Sequence, residues 1–478
     1  MGTALTLNAH NVHEIELDSR RLLFHVPSSA LFESDPLMAA VIGQLRARAP
    51  ASLEELQQAL GGSFGARDVA EAVLELKGLQ IVAEDGATPA DWRHGAVTRF
   101  PLTTVVLNVN TGCNLSCTYC YKEDLATPAK GRKMELATAV QSIEMLLAES
   151  PDAAAYNIVF FGGEPLTNLP LIREVVAYAE QRFGAIGKRV MFSLTTNATL
   201  LDETTIAWLD QHRFGIAVSI DGPKAVHDRN RLTVGGQGSY ETVARKVRLL
   251  LANYRSRPVG ARVTLTHGTT DVIGIWDHLF NELGFAEVGF APVTAGDLAS
   301  YNLDDAELHE VFAQMKALGR RYLDAALENR SIGFSNLHQL LGDIHEGTKK
   351  ALPCGAGYSM VAVDGDGGVN LCHRFTGSEL PTFGTVDAGL DRGALADFLA
   401  QRLDRSNTGC NTCRIRNLCS GGCYHESYQR YSDPAQPVYH YCELLRDWVD
   451  FGLGVYAEIL ARNPAFFETH LSPRRAKP

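Results

Sequence analysis

The chain lacks any surplus of positive charge: 44 Lys and Arg stand against 55 Asp and Glu, a formal net charge of −11. A broad basic footprint for nucleic acid is thereby excluded, and no nucleic-acid partner is expected. Also missing is any run of the ~18–20 apolar residues that a membrane-spanning helix needs, so no membrane partner is expected either. The opening residues, MGTALTLNAHNVHEIELDSRR, hold no basic-then-apolar run and no small-residue cleavage site. They do not read as a secretory signal, and the expected location is cytoplasmic. In a chain of this kind, ten Cys are metal ligands rather than disulfide partners. A hydrophobic share of 45% over 478 residues supplies sizeable cores for about two to three domains.

Residues 10–90 read as a module of their own. HEIELD and RRLLFHV alternate apolar and polar residues like a hairpin. Three amphipathic stretches follow, PLMAAVIGQLRAR, SLEELQQALG and ARDVAEAVLELKGL, then a strand, QIVAEDG. Ser52 and Glu55 form an S-x-x-E capping box at the start of the second helix. Residues 86–100 are polar and turn-rich, as in a linker. From residue 101 to about 330, near-continuous apolar strands alternate with amphipathic helices. The strands are TTVVLNV, YNIVFF, RVMFSLT, GIAVSI, ARVTLT and AEVGFAPV. That alternation predicts an α/β fold with a covered parallel sheet, and six units suggest a partial (β/α)6 TIM-type barrel. Its chemistry is expected at the C-terminal strand ends. Residues 350–445 are rich in Cys and Gly, and 446–478 are a C-terminal amphipathic helix and a frayed tail.

The loop after the first barrel strand carries Cys113, Cys117 and Cys120 at C-x3-C-x2-C, followed by Tyr121. Three thiolates on one short loop suit three irons of a 4Fe–4S cluster and leave the fourth open to a small molecule. The later strand ends carry polar groups: Gly163 and Glu164 in GGEP, Ser193, Thr196 and Asn197 in SLTTNAT, Ser219 and Asp221 in SIDGP. Singly these are turn chemistry. Together, hydroxyls, an amide and carboxylates suit a ligand with ribose hydroxyls and an amino-acid head.

Through these motifs the stretch 101–330 resembles the radical S-adenosylmethionine enzymes. The resemblance implies that the open iron binds the amino and carboxylate groups of S-adenosylmethionine. It further implies that Gly163 and Glu164 face the methionine amino group, that Ser219 and Asp221 lie near the ribose, and that Tyr121 lies by the adenine. Asn197 is a looser carry-over to the same ligand.

Seven Cys remain. Cys354 and Cys372 fit C-x12-G-x4-C, Cys410, Cys413, Cys419 and Cys423 fit C-x2-C-x5-C-x3-C, and Cys442 comes last. Taken alone, such spacing suits one or two zinc sites. Behind the barrel it resembles the SPASM extension, which carries two auxiliary iron–sulfur clusters. The resemblance implies Cys410, Cys413, Cys419 and Cys442 on one cluster and Cys354, Cys372 and Cys423 on the other, for three clusters in all. The three-Cys cluster then has a place for a substrate thiolate. His373 stands directly after Cys372, where relatives that oxidise sulfatases have Asp. A base is expected in HDRNR, at Asp228, against the alternative of a salt-bridged surface loop.

The N-terminal module resembles the winged-helix peptide-recognition element (RiPP recognition element) of peptide-modifying enzymes. A winged helix also binds DNA, yet ARDVAEAVLELKGL is not rich in Arg or Lys. RRLLFHV is expected as a bare edge strand for peptide addition. The layout as a whole is similar to the maturation enzymes of quinohemoprotein amine dehydrogenase. This implies thioether cross-links from Cys sulfur to Asp or Glu side-chain carbons in a small Cys-rich polypeptide, the γ-subunit precursor. Flavodoxin or ferredoxin is the implied electron donor. The alternatives are a maturase linking Cys to α-carbons, one forming formylglycine in sulfatases, or an iron–sulfur winged-helix regulator.

Overall fold

The structure, a computed structural model, describes residues 4–17, 20–85, 97–121, 131–293 and 300–471. Residues 86–96 and 472–478, within the expected linker and frayed tail, lie outside the described residues.

The N-terminal module starts earlier than its sequence pattern, with β1 (Ala4–Leu7), followed by β2 (Val12–Leu17), β3 (Arg20–His25) and β4 (Ala30–Glu33). Then come α1 (Pro36–Ala47), β5 (Ala51–Ser52), α2 (Leu53–Leu60), α3 (Ala66–Gly78) and β6 (Val82–Glu84). The side chain of Asp35 caps α1, with Pro36 in the first turn where its missing N–H costs nothing. Ser52 Oγ accepts from Glu55 N at 3.2 Å while Ser52 N donates to Glu55 Oε2 at 2.6 Å, the reciprocal capping box of α2. Val41, Ile42, Leu45, Leu56, Val69, Val73 and Leu76 turn inward as one small core. Each contributes roughly 1.5–3 kcal/mol by leaving water. One expectation is corrected: RRLLFHV is not an edge. As β3 it lies between β2 and β4, hydrogen-bonded on both sides, so its backbone is already spent. The edges of that sheet are β2 and β4, and on β4 Phe32 is 44% exposed.

The central domain alternates β7 (Thr104–Asn110), α4 (Leu136–Glu149), β8 (Ala155–Gly162), α5 (Leu169–Ala185), β9 (Arg189–Thr196), α6 (Glu203–Gln211) and β10 (Gly215–Ser219). It continues with α7 (Lys224–Asn230), α8 (Tyr240–Asn253), β11 (Val259–Leu265), α9 (Val272–Asp277) and β12 (Glu287–Pro292). The six strands run parallel and in sequence order, and buried Val105, Val109, Ile158, Phe160, Val218 and Val263 pack beneath the helices. The domain does not end near residue 330. After α10 (Asp305–Leu327), α11 (Ser335–His345) packs on β12.

The Cys-rich segment is not a separate layer. Its β13 (Met360–Val363) pairs in parallel with β7, and β14 (Val369–Asn370) returns antiparallel on β13. The result is an eight-stranded sheet in the order β12-β11-β10-β9-β8-β7-β13-β14. It remains an open, partial barrel with β12 and β14 as its edges. A short ribbon of β15 (Gly384–Thr385) and β16 (Gly389–Leu390) follows, then α12 (Arg392–Leu403), α13 (Arg416–Cys419) and α14 (Tyr424–Tyr431). Finally α15 (Cys442–Arg462) packs along α10 and α11, and α16 (Ala465–His470) follows. The boundary expected at residue 446 therefore falls inside one helix, whose first residue is a candidate ligand.

Candidate active site at the cysteine loops

The loop after β7 is pinned from two sides. Ser116 N donates to Leu232 O at 2.7 Å and Thr118 N to Asn230 O at 3.0 Å. From β8, Gly163 N donates to Asn110 O at 2.7 Å and Glu164 N to Gly112 O at 3.1 Å. A Cβ on Gly163 would stand 2.1 Å from the Gly112 oxygen, so this approach requires glycine. The three thiols of the loop lie near one another, with Cys117 and Cys120 among the groups that act on Cys113. Burial pushes the Cys113 thiol up to about 12 and Cys117 to about 11. Left alone they stay protonated, and a metal must displace the proton, as thiolate-binding metals do.

The strand ends form two buried networks. Glu164, 1% exposed, accepts from Leu166 N (3.1 Å), Thr196 Oγ1 (2.7 Å) and Asn197 N (2.7 Å). Burial raises its carboxyl to about 7, although all three donors pull the other way. Asn197 Nδ2 donates to Asn114 Oδ1 at 2.9 Å and lies 3.8 Å from Cys113 Sγ, which ties β9 to the loop. In the second network Asp221, also 1% exposed, accepts from Tyr119 Oη (2.6 Å), Arg231 Nε (2.9 Å) and Thr264 N (3.0 Å). Ser219 is half-buried at the end of β10. Glu164 and Asp221 thus hold the frame of the site with the oxygens that were expected to meet a ligand. Tyr119 escaped the sequence reading, although it stands inside the Cys motif, and Arg231 entered it only as a salt-bridge partner within HDRNR.

Asp228 is built for another task than the expected base. Its Oδ1 accepts from Tyr240 N at 2.8 Å, the first N–H of α8, and its Oδ2 pairs with Lys224 at 3.0 Å. This is helix capping plus an i,i+4 ion pair, and both oxygens are engaged. The salt-bridged alternative holds only through Lys224, because the arginines of HDRNR turn elsewhere: Arg231 binds Asp221, and Arg229 donates to His267 O at 3.1 Å.

Tyr121 connects the two halves. Its ring stands 4.7 Å under the Arg374 guanidinium and 5.4 Å from the His425 ring. Cys120 of the first loop and Cys372 and Cys423 of the Cys-rich segment are all among its ionisable neighbours. The sheet extension explains this meeting. His373 packs on Phe161 of β8 with ring centroids 4.1 Å apart, and Asn108 of β7 donates to Thr376 Oγ1 at 3.1 Å. The remaining thiols divide into two groups. Cys354, Cys372 and Cys423 are mutual neighbours, and burial lifts Cys372 to about 12. Cys410, Cys413, Cys419 and Cys442 line one cavity of about 110 Å³, and burial lifts Cys442 to about 11. Residues 410 and 442 are far apart in the chain. Only folding α15 back over the Cys-rich segment brings them together. A second cavity of about 340 Å³ opens beside the first loop, lined by Thr118, Arg229, Asn230, Thr266 and His267.

Comparison with known proteins gives this arrangement a family. The Radical SAM superfamily profile matches residues 107–272. The serine-type anaerobic sulfatase-maturating enzyme of Klebsiella aerogenes is 25% identical over 336 residues, covering 68% of this chain and 80% of that protein. The cysteine-type anaerobic sulfatase-maturating enzyme of Clostridium perfringens is 23% identical over 390 residues, covering 73% and 96%. Among solved structures, native anSMEcpe with bound AdoMet superposes with a TM-score of 0.65 at 21% identity, over 76% of this chain and all of that one (100%). Streptococcus suis SuiB bound to its precursor peptide SuiA superposes with a TM-score of 0.51 at 13% identity, over 92% and 100%. The domain of this superfamily takes S-adenosylmethionine and a 4Fe–4S cluster. The donors present fit such groups: a loop with three neighbouring thiols, and a cavity of about 110 Å³ walled by four more. With the profile spanning the strands, the loop and the networks described above, residues 107–272 form a domain of the Radical SAM superfamily.

Proposed function

We propose that the chain is an oxidative maturase of a ribosomally made polypeptide. The observation that carries this reading is the position of Tyr121, which directly follows Cys120 of the first loop and packs its ring against Arg374 and His425 of the Cys-rich segment, next in sequence but one to Cys372 and Cys423. A radical source and an electron acceptor then lie at the two segments that meet at this ring. In this reading Cys113, Cys117 and Cys120 hold the 4Fe–4S cluster, and the seven other Cys hold two auxiliary clusters. When bound, the cluster and S-adenosylmethionine together supply a 5′-deoxyadenosyl radical that removes a hydrogen atom from the substrate.

The chain's own residues do the rest. Gly163 lets the backbone approach the ligand's amino group, with the Glu164 carboxylate fixed behind it. Asn197 steadies Cys113, Ser219 meets the ribose, and Asp221 holds Tyr119 and Arg231 in place. The base is better sought at His373 than at Asp228, whose oxygens cap α8 and bind Lys224. His373 lies against Phe161 at the end of β8, beside Gly162 and Gly163. The N-terminal module, docked on the Cys-rich segment, is the proposed holder of the polypeptide.

Two products are proposed for testing. Formylglycine formation is favoured by the two relatives above, both sulfatase-maturating enzymes. Thioether formation between Cys and an Asp or Glu side-chain carbon is favoured by His373 standing where such relatives carry Asp. Anaerobically reconstituted protein with a strong reductant is expected to release 5′-deoxyadenosine. Each of Cys113→Ala, Cys117→Ala and Cys120→Ala should abolish that release. With a sulfatase-derived peptide, an aldehyde reactive to a hydrazide probe marks the first product. With a short Cys-rich polypeptide, loss of two hydrogens and of one free thiol per link marks the second. A reduced, reconstituted protein that yields no deoxyadenosine would sink the proposal.

A further inference from the structure

Arg405 and Arg416 line the four-cysteine cavity, and Arg402 has Cys410 and Cys419 among its charged neighbours. None of the three has a carboxylate partner among the described residues, whereas Arg446, which also lines the cavity, pairs with Glu443. Arg402, Arg405 and Arg416 are 1%, 4% and 5% exposed. The bonds of Arg402 run to carbonyl oxygens: Ala435 (3.0 Å), Gln436 (2.6 Å), Ser420 (3.3 Å) and Gly422 (2.8 Å). Arg405 donates to the carbonyls of Arg416 and Ala351. Arg416 donates to His10 O (2.7 Å), Cys413 O (3.4 Å) and Asn11 Oδ1 (2.9 Å). Every acceptor is neutral, and the Nε atoms of Arg402 and Arg416 are buried without an acceptor. Dipoles alone compensate buried charge poorly, so a fold that buries three guanidiniums together needs an anion beside them. The groups able to carry that charge are at hand. Cys410 and Cys419 act on Arg402, Cys410, Cys419 and Cys413 act on Arg405, and Cys413 acts on Arg416.

The thiols of the first loop sit in a different field. Near the first loop stand two buried carboxylates, Glu164 and Asp221, and the buried Arg231 there is already paired with Asp221. A four-thiolate iron–sulfur cluster is anionic when oxidised and gains a further negative charge on reduction. Buried cations therefore favour its reduced form, while buried carboxylates disfavour it.

We propose that Arg402, Arg405 and Arg416 are the counter-charge of an anionic iron–sulfur cluster on Cys410, Cys413, Cys419 and Cys442, and that they raise its reduction potential above that of the cluster on Cys113, Cys117 and Cys120. The first loop is thereby the strong reductant and the four-cysteine group the site where an electron comes to rest. This rests on the assignment of clusters within the proposed function, but not on the nature of the polypeptide product.

The test is an EPR-monitored potentiometric titration of the full reconstituted chain, with no peptide present. Loss of one auxiliary signal in Cys442→Ser identifies the group concerned. In Arg405→Gln and Arg402→Met its midpoint is expected to shift to more negative potential, with the midpoint of the first-loop cluster unmoved. Arg405→Lys keeps the charge, is expected to keep the midpoint, and serves as the comparison should Arg402→Met fail to fold. An unchanged midpoint in Arg405→Gln at full iron content overturns the proposal. So does zinc found at the four cysteines. Failure to modify any peptide, with the midpoint shift intact, would count against the maturase reading alone.

Discussion

At the scale of single residues, burial decides which polar groups are working parts and which are frame. His227 is fully buried, with Nε2 3.0 Å from Ser239 Oγ and Nδ1 facing Asp221 N at 3.4 Å. The second contact needs a bare Nδ1, which fixes the neutral ring with its proton on Nε2 toward Ser239. Burial, followed by the charge of Arg231, lowers its pKa from 6.5 to about 4. The unfolded chain takes up this proton first as pH falls below 6.5. Stability is therefore complete above 6.5, drops as pH falls toward 4, and levels off below that. The loss amounts to at most about 3 kcal/mol. Denaturant unfolding across that pH window is expected to show a flatter slope in His227→Gln than in the parent. Asp228 supplies the contrasting case. Asp228→Ala removes a helix cap and should cost about 1 kcal/mol, read from the denaturant midpoint, while deoxyadenosine release persists. Abolished release in a folded Asp228→Ala protein would restore it as a base.

At the scale of elements, the site depends on how closely β7 and β8 meet. Gly163→Ala brings a methyl against the Gly112 carbonyl, 2.1 Å away before any movement. The Cys loop must shift, and iron content is expected to fall by one cluster with the circular dichroism spectrum kept. Iron retained at the parent level would show that the loop yields without harm. The β13 strand is the second such dependence. Because β7 and β14 both pair with it, a proline inside has no free side to turn to. Ala362→Pro should therefore cost at least about 3 kcal/mol, and release the Cys354, Cys372 and Cys423 iron before that of the first loop. Iron measured after gel filtration reads both.

At the scale of the whole molecule, the N-terminal module is fastened to the segment that carries the auxiliary thiols. Asn417, between Cys413 and Cys419 in sequence, donates to Val26 O at 2.6 Å, and His13 meets Asp450 of α15 at 3.0 Å. Asn417→Ala leaves the buried Val26 carbonyl without that donor, at a cost of about 1–3 kcal/mol. Limited proteolysis should then free the module faster than in the parent. If the module holds the polypeptide, peptide modification should weaken in that variant through KM, with uncoupled deoxyadenosine release unchanged.

Much was legible without coordinates. The C-x3-C-x2-C spacing, the alternation of apolar strands with amphipathic helices, and the Ser52–Glu55 box are local patterns, and local patterns survive in a linear text. The three helices of the module and the six parallel strands follow from periodicity alone. What could not be read was non-local. RRLLFHV looks like an edge because its own alternation is silent about neighbours, and β2 and β4 enclose it. Asp228 looks like a free acid because nothing in HDRNR reveals that Tyr240 N lies above it. The pairing of β13 with β7 joins residues more than two hundred positions apart, and no periodicity encodes that register. Sequence thus determined which segments carry the clustered thiols and the class of fold, since both depend on residue chemistry and short-range spacing. Tertiary structure alone decided which thiols share a cavity, which carboxylates are frame, and where three arginines are buried without an acid, because those depend on who meets whom after the chain has closed.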